Sequence, residues 1–162
     1  MEENTMNLCP GKSVGAVIRD KDGAILVLYR KKRPLGLALP AGHIDEGETP
    51  PDAMQREVYE ETGLEVKRYR EVLHSTFPNP CSRTDAAGKS YDGHEWWVYE
   101  VVEWSGVPRL MEPDKHEFVA FKDLGFLRYS LDLELGHAPD PADATNWDPA
   151  WRDYILPALK II

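Results

Sequence analysis

Residues 42–64 read GHIDEGETPPDAMQREVYEETGL, and they crowd Glu57, Glu60 and Glu61 beside Arg56 directly after a turn rich in Gly, Asp and Glu. Thr49, Pro50, Pro51 and Asp52 predict a helix start: a Thr N-cap, proline at the first helical position and an acid in the first turn all suit unpaired N–H groups. Gly63 predicts the stop, because glycine readily takes the left-handed conformation at a helix end. At about 100° per residue, Glu57, Glu60 and Glu61 fall within one narrow arc of that helix. Like charges at this spacing repel by roughly 0.2–0.5 kcal/mol per pair, and acids near the C-terminus also oppose the helix dipole. A solvated acidic face is the ordinary reading of such a run. The embedded Arg56 and the adjoining turn of small residues point instead to a bound hard cation, and carboxylate oxygens suit Mg²⁺ or Mn²⁺. The thiolate and imidazole sets expected for zinc are absent.

Gly42, Glu48, Arg56, Glu57, Val58, Glu60, Glu61, Gly63 and Leu64 stand at the spacing of the Nudix box. From about Val14 to about Leu127 the chain resembles a Nudix hydrolase of the small, MutT-like diphosphatase subgroup. The resemblance implies an α/β fold, an α/β/α sandwich with a mixed β-sheet, in which the strand, loop and helix of the box frame a metal site. It implies that Glu57, Glu60 and Glu61 ligate Mg²⁺, with Mn²⁺ able to substitute, joined by Glu48 and by the backbone carbonyl of Ala41. Many relatives carry Gly where Ala41 stands, but an added methyl leaves a carbonyl unchanged. Arg56 would hold a neighbouring glutamate by a bidentate contact. Glu112, in MEPDKHEFVAF (residues 111–121), resembles the acid that completes the metal site, with Glu117 the runner-up and Leu110 where an Asn often sits. Glu57 and Glu112 are the candidates for taking the proton of the attacking water.

Composition sets the outer limits. At 162 residues, 42% hydrophobic and 10% aromatic, the sequence predicts one globular domain over residues 1–162. The first 12 or so residues would be a flexible arm and residues 148–160 a C-terminal helix. Cys9 and Cys81 form neither a metal-type spacing nor a disulfide framework, so a reducing cytoplasm is the expected setting. No apolar run approaches the ~20 residues of a membrane span, and no signal peptide is expected. The net charge of −9 argues against stable nucleic-acid binding. It permits a phosphate ester, since a divalent ion can bridge carboxylates and phosphate. Arg30, Lys31, Lys32 and Arg33 form one basic cluster able to meet phosphates.

Strand-forming runs are expected at residues 13–18 and 24–29, joined as a hairpin, then at 66–76, 95–104 and 118–121. The 17-residue stretch from Phe77 to Gly93 exceeds a passive connection and is the expected substrate lid, with Arg83 or Lys89 reaching phosphates. For the base, Phe77, Trp96, Trp97 and Tyr99 are the aromatic candidates, Trp96 and Trp97 facing opposite sides of their strand; His94 reads as an exposed loop-end histidine or as a contact to phosphate or base.

The family's chemistry implies water attack on a diphosphate linked to another moiety. The expected substrate is a nucleoside triphosphate, canonical or modified, cleaved to a monophosphate and pyrophosphate. ADP-ribose, a nucleotide sugar or a dinucleoside polyphosphate is the alternative, with a capped RNA end last because of the acidic balance. A non-catalytic nucleotide sensor is a further alternative, although such modules usually lose box glutamates that this chain keeps. The resemblance makes a homodimer the expected assembly.

Overall fold

The computed structural model describes residues 6–32, 35–78, 83–136 and 147–161. In chain order come β1 (Ser13–Ile18), β2 (Ile25–Arg30), β3 (Gly36–Ala38), β4 (Ala41–His43), α1 (Pro50–Thr62), β5 (Glu65–Pro78), β6 (Gly93–Ser105), β7 (His116–Lys122) and α2 (Leu124–Gly136). A π-helical turn, Trp151–Ile155, runs into a short α3, Leu156–Ala158. The strands form two sheets, β4-β1-β6-β5 and β3-β2-β7. The first is mixed, because β1 runs parallel to β6 and antiparallel to β4.

Burial explains this order. All six residues of β1 are buried, as a strand covered on both faces requires. On one face Val14, Ala16 and Ile18 meet Ala53, Met54 and Val58, the apolar stripe of α1. On the other, Val17 belongs to a second core with Leu127 and Leu131 of α2 and Trp147, Trp151 and Ile155 near the C-terminus. Helices therefore cover both sides of the strands, the expected α/β sandwich.

The helix α1 forms where its caps predict. Thr49 Oγ1 accepts from the Asp52 N–H at 3.3 Å, Pro50 and Pro51 fill the first turn, and Gly63 closes the helix at φ 77°. A Cβ at residue 63 would also lie 3.2 Å from Arg109 Nε. Gly63→Ala should therefore destabilise the metal-free protein by about 1–2 kcal/mol, read as a lower urea midpoint at unchanged slope.

Three expectations change. Residues 6–12 are not a free arm: Leu8 bridges to Gly93, Cys9 is buried, and the Asn7 side chain donates to Asp85. Of the two readings open for the 66–76 run, a strand pair or a single long strand, the structure has the second: β5, whose exposed length is broken by three register irregularities against β6. Its last residues, Phe77 and Pro78, pair with His94 and Gly93, so the expected lid is shorter. Residues 79–82 of that lid lie outside the described residues, and residues 84–90 close a small turn through a Thr84–Ser90 bridge. Finally, α2 was not expected at all. Asp123 starts it, its carboxylate accepting from the Phe126 N–H at 2.8 Å.

Candidate active site

β4 lies beside β1 and hands the chain through residues 44–49 into α1, so the turn and the helix face of the 42–64 stretch converge. Arg56 is the hub of that meeting. Its Nε and Nη2 grip both oxygens of Glu48, at 2.8 and 2.9 Å, a bidentate fork. Nη1 donates to Glu57 Oε1 at 2.9 Å and to Glu60 Oε2 at 3.1 Å, and Nη2 also donates to the His43 carbonyl at 2.9 Å. The contact with Glu48 holds its carboxyl down at about 2, helped by the Asp45 N–H. One cation thus orders three carboxylates and the loop that precedes them.

Glu57 and Glu61 point inward. Burial raises the pKa of Glu57 against the pull of Arg56, and raises that of Glu61 further, with Glu57 adding to the effect. Glu61 Oε1 accepts the Ala41 N–H at 2.9 Å. Its other oxygen faces His116 Nε2 at 3.4 Å, and both side chains are nearly sealed from solvent, 6% and 4% exposed. Glu112 is close by: one ligand atom from each of Glu61, Glu112 and His116 fits within 4.8 Å. The turn at residues 112–116 arranges this, since the Glu112 carbonyl accepts from the N–H groups of both Lys115 and His116. Gly42 is required here for space, because a Cβ at that position would overlap the Glu57 carboxyl group. Gly42→Ala should cut turnover about 10- to 100-fold by displacing Glu57, while circular dichroism reports an intact fold.

Residues 10–147 match the NUDIX domain. The chain belongs to the Nudix family. Among curated relatives of this Nudix chain, the RNA pyrophosphohydrolase of Cereibacter sphaeroides (strain KD131) is 41% identical over 141 residues, covering 83% of this chain and 71% of that protein. The RNA pyrophosphohydrolase of Bartonella henselae is 35% identical over 86 residues, 49% of this chain and 49% of that protein, so the match spans about half of its length. A solved MutT NUDIX hydrolase from Burkholderia pseudomallei shares the fold at a TM-score of 0.62 and 27% identity, covering 95% of this chain and 98% of that one.

The Nudix donor set fits a divalent cation on the structure's own terms. Buried carboxylates that crowd one another, with an orphaned buried imidazole nitrogen among them (His116 Nδ1 has no hydrogen-bond partner among the described residues), are relieved by a positive ion. Glu117 is not part of the set: its side chain is 62% exposed and pairs with Lys31 at 3.6 Å. His116 was not singled out in the sequence, and its presence corrects the expectation that imidazole is absent. The signal available was the four-residue spacing from Glu112, which a helical turn converts into proximity.

Arg30 lies 4.0 Å from Asp148 and acts electrostatically on His43, Glu61 and His116. Of its basic cluster, Lys31 turns to the Pro113 carbonyl, and Arg33 lies outside the described residues. The His43 and His94 rings lie 5.8 Å apart, tilted at 32°; burial lowers both pKa values, and Arg83 adds to each shift. His94 is buried at 3% exposure, so the exposed loop-end reading is set aside. Phe77, opposite His94 in the β5–β6 pairing, stacks on Tyr154 at 5.8 Å. Tyr154 escaped the sequence reading because only packing of the C-terminal turn brings it there. Trp96 is 6% exposed and sits edge-on to Trp151 at 5.9 Å, so it is not an open stacking platform. Trp97 faces the other way, stacked on His74 at 4.3 Å. No helix among the described residues is long and apolar enough to cross a membrane.

Proposed function

We propose that this Nudix chain is a Mg²⁺-dependent diphosphatase that hydrolyses a nucleoside triphosphate to a nucleoside monophosphate and pyrophosphate, with Mn²⁺ able to replace Mg²⁺. The observation that carries the reading is the arrangement around Arg56. One guanidinium orders Glu48, Glu57 and Glu60 while Glu61 is walled in beside Glu112, more carboxylates than one arginine neutralises, which a divalent cation would balance.

In this reading Glu57, Glu60, Glu61 and Glu112 hold the ion, with Glu48 and Ala41 at the margin. When bound, a divalent ion supplies charge neutralisation on the phosphate oxygens and acidifies water. Glu57 takes the water's proton: Arg56 orients its carboxyl group, and Gly42 leaves space beside it. Water oxygen bonds to phosphorus, the anhydride P–O bond breaks, and its electron pair leaves with pyrophosphate. Arg30 and Arg83 meet phosphate oxygens, and the stacked pair Phe77 and Tyr154 offers the base an aromatic face. The whole chain acts as one domain, and its expected setting is a reducing cytoplasm.

A second reading is favoured by the relative of 41% identity named as an RNA pyrophosphohydrolase, namely removal of pyrophosphate from a triphosphorylated RNA 5′ end. The net charge of −9 supplies little to track an RNA backbone, so only the terminal nucleotides would be held. The deciding experiment measures, with and without Mg²⁺, pyrophosphate release from free nucleoside triphosphates and 5′-triphosphate RNA, and phosphatase-coupled phosphate release from the phosphomonoester products of ADP-ribose, nucleotide sugars and dinucleoside polyphosphates. Metal-dependent release from free triphosphates supports the first reading. Release from RNA alone selects the second, and turnover confined to ADP-ribose, nucleotide sugars or dinucleoside polyphosphates excludes both.

A further inference from the structure

We infer that His116 is a metal ligand, and that Glu61, Glu112 and His116 form an inner locus for a divalent transition-metal ion beside the carboxylates of Glu57 and Glu60. The inference rests on the metal-dependent reading above and adds to it a nitrogen donor and an ion preference.

Distance is the first argument. The 3.4 Å between His116 Nε2 and Glu61 Oε2 is long for a hydrogen bond to a carboxylate, which prefers ~2.7–2.9 Å. Two donors each ~2.1 Å from one ion stand ~3.0 Å apart at a right angle and ~3.4 Å apart at the tetrahedral angle. The observed gap therefore suits two ligands of one ion better than a donor and its acceptor. The third donor, from Glu112, lies within the same 4.8 Å span.

Burial is the second. The imidazole is 4% exposed, its Nδ1 has no partner among the described residues, and its Nε2 is aimed at a carboxylate. At that distance the ring makes no short hydrogen bond to Glu61, and a cation between them engages the ring nitrogen and both carboxylates at once. The backbone N–H of His116 donates to the Glu112 carbonyl at 3.0 Å and the residue is paired with Arg30 across β7 and β2, which fixes where the ring starts, and burial at 4% exposure confines the ring itself.

The donor types set the preference. Mg²⁺ takes oxygen ligands almost exclusively, whereas imidazole suits later divalent ions. The inner locus should select Mn²⁺ over Mg²⁺, and His116→Gln should reduce that selectivity by about tenfold or more.

The test is pulsed electron paramagnetic resonance on the full chain loaded with Mn²⁺. The expected result is a nitrogen coupling that converts on ¹⁵N-histidine labelling and disappears in His116→Gln, which still binds Mn²⁺ through its carboxylates. Mn²⁺ bound without nitrogen coupling, or a coupling that survives in His116→Gln, overturns the inference and leaves the metal-dependent reading standing. Failure of the native protein to bind Mn²⁺ or Mg²⁺ at all overturns both. Should His116→Gln not fold, His43→Gln and His94→Gln serve instead: each must retain the coupling, and its loss in either one overturns the assignment.

Discussion

Replacing Glu61 by Gln is expected to lower kcat by about 10³-fold while the protein remains folded. The substitution keeps the size of the side chain and an oxygen able to accept the Ala41 N–H, a bond of 2.9 Å in the native protein. What it removes is the negative charge that faces the ion, which is worth several kcal/mol in the transition state, or about three powers of ten in rate. Stability should move the other way. With chelator present, Glu61→Gln should melt higher than the native protein, because a buried charge beside Glu57 is gone. The native protein's melting temperature should rise with Mg²⁺ and the variant's should rise less.

The metal-free native protein carries a related pH signature. Burial holds the Glu61 proton well above the ordinary carboxylate value of 4.5. From that value upward the unfolded chain binds fewer protons than the native state, so stability falls as pH rises until the native carboxyl also ionises. Glu61→Gln should flatten this slope in chelator-containing thermal melts. An unchanged slope would mean that Glu61 is not the group responsible.

Arg56→Ala is the second large effect, expected to exceed 10² in kcat/KM. A single outer partner of a metal ligand is typically worth 10- to 100-fold, and Arg56 serves Glu48, Glu57 and Glu60 together. The side chain is 27% exposed, so solvent weakens each ion pair and the loss of stability should stay near 1–2 kcal/mol. Arg56→Lys separates the two consequences. A lysine restores the charge but cannot hold two oxygens of Glu48 and reach Glu57 and Glu60 from one planar fork. Stability should recover to near the native value while activity stays depressed. Recovery of both would show that charge alone, without the fork, sets the geometry.

The parts of this site that could be read in the sequence are those whose cause is local. Thr49, Pro50, Pro51 and Gly63 act on their own helix, and the i, i+3, i+4 spacing of Glu57, Glu60 and Glu61 needs nothing else to put them on one face. That Arg56 grips a neighbouring glutamate by a fork came from the family resemblance; that the glutamate is Glu48, eight residues back across the turn, is visible only in the fold. His116 was not legible, because its role depends on β7 lying next to β2 and on the 112–116 turn folding back towards α1. Tyr154 was hidden likewise by a distant docking, that of the C-terminal turn against β5. For α2 the signal was present: Asp123 caps the helix, and Leu124, Leu127 and Leu131 recur at i, i+3 and i+7. Trp96 shows the opposite error, in which a residue type suited to stacking on a base is used instead to fill the core behind Gly15.

The long strand β5 ends its sheet, with most of its fourteen residues exposed and its pairing to β6 interrupted between Val66 and Arg68, between Arg68 and Tyr69, and between Glu71 and Leu73. An outer strand of that length is a template onto which another chain could add, the first step of aggregation. The interruptions twist its free side out of a regular repeat, and Lys67, Arg68, Arg70 and Glu71 place charge along the stretch that an incoming strand would have to cover. The same irregularities that make β5 a poor partner beyond β6 should keep a concentrated solution of this acidic chain clear.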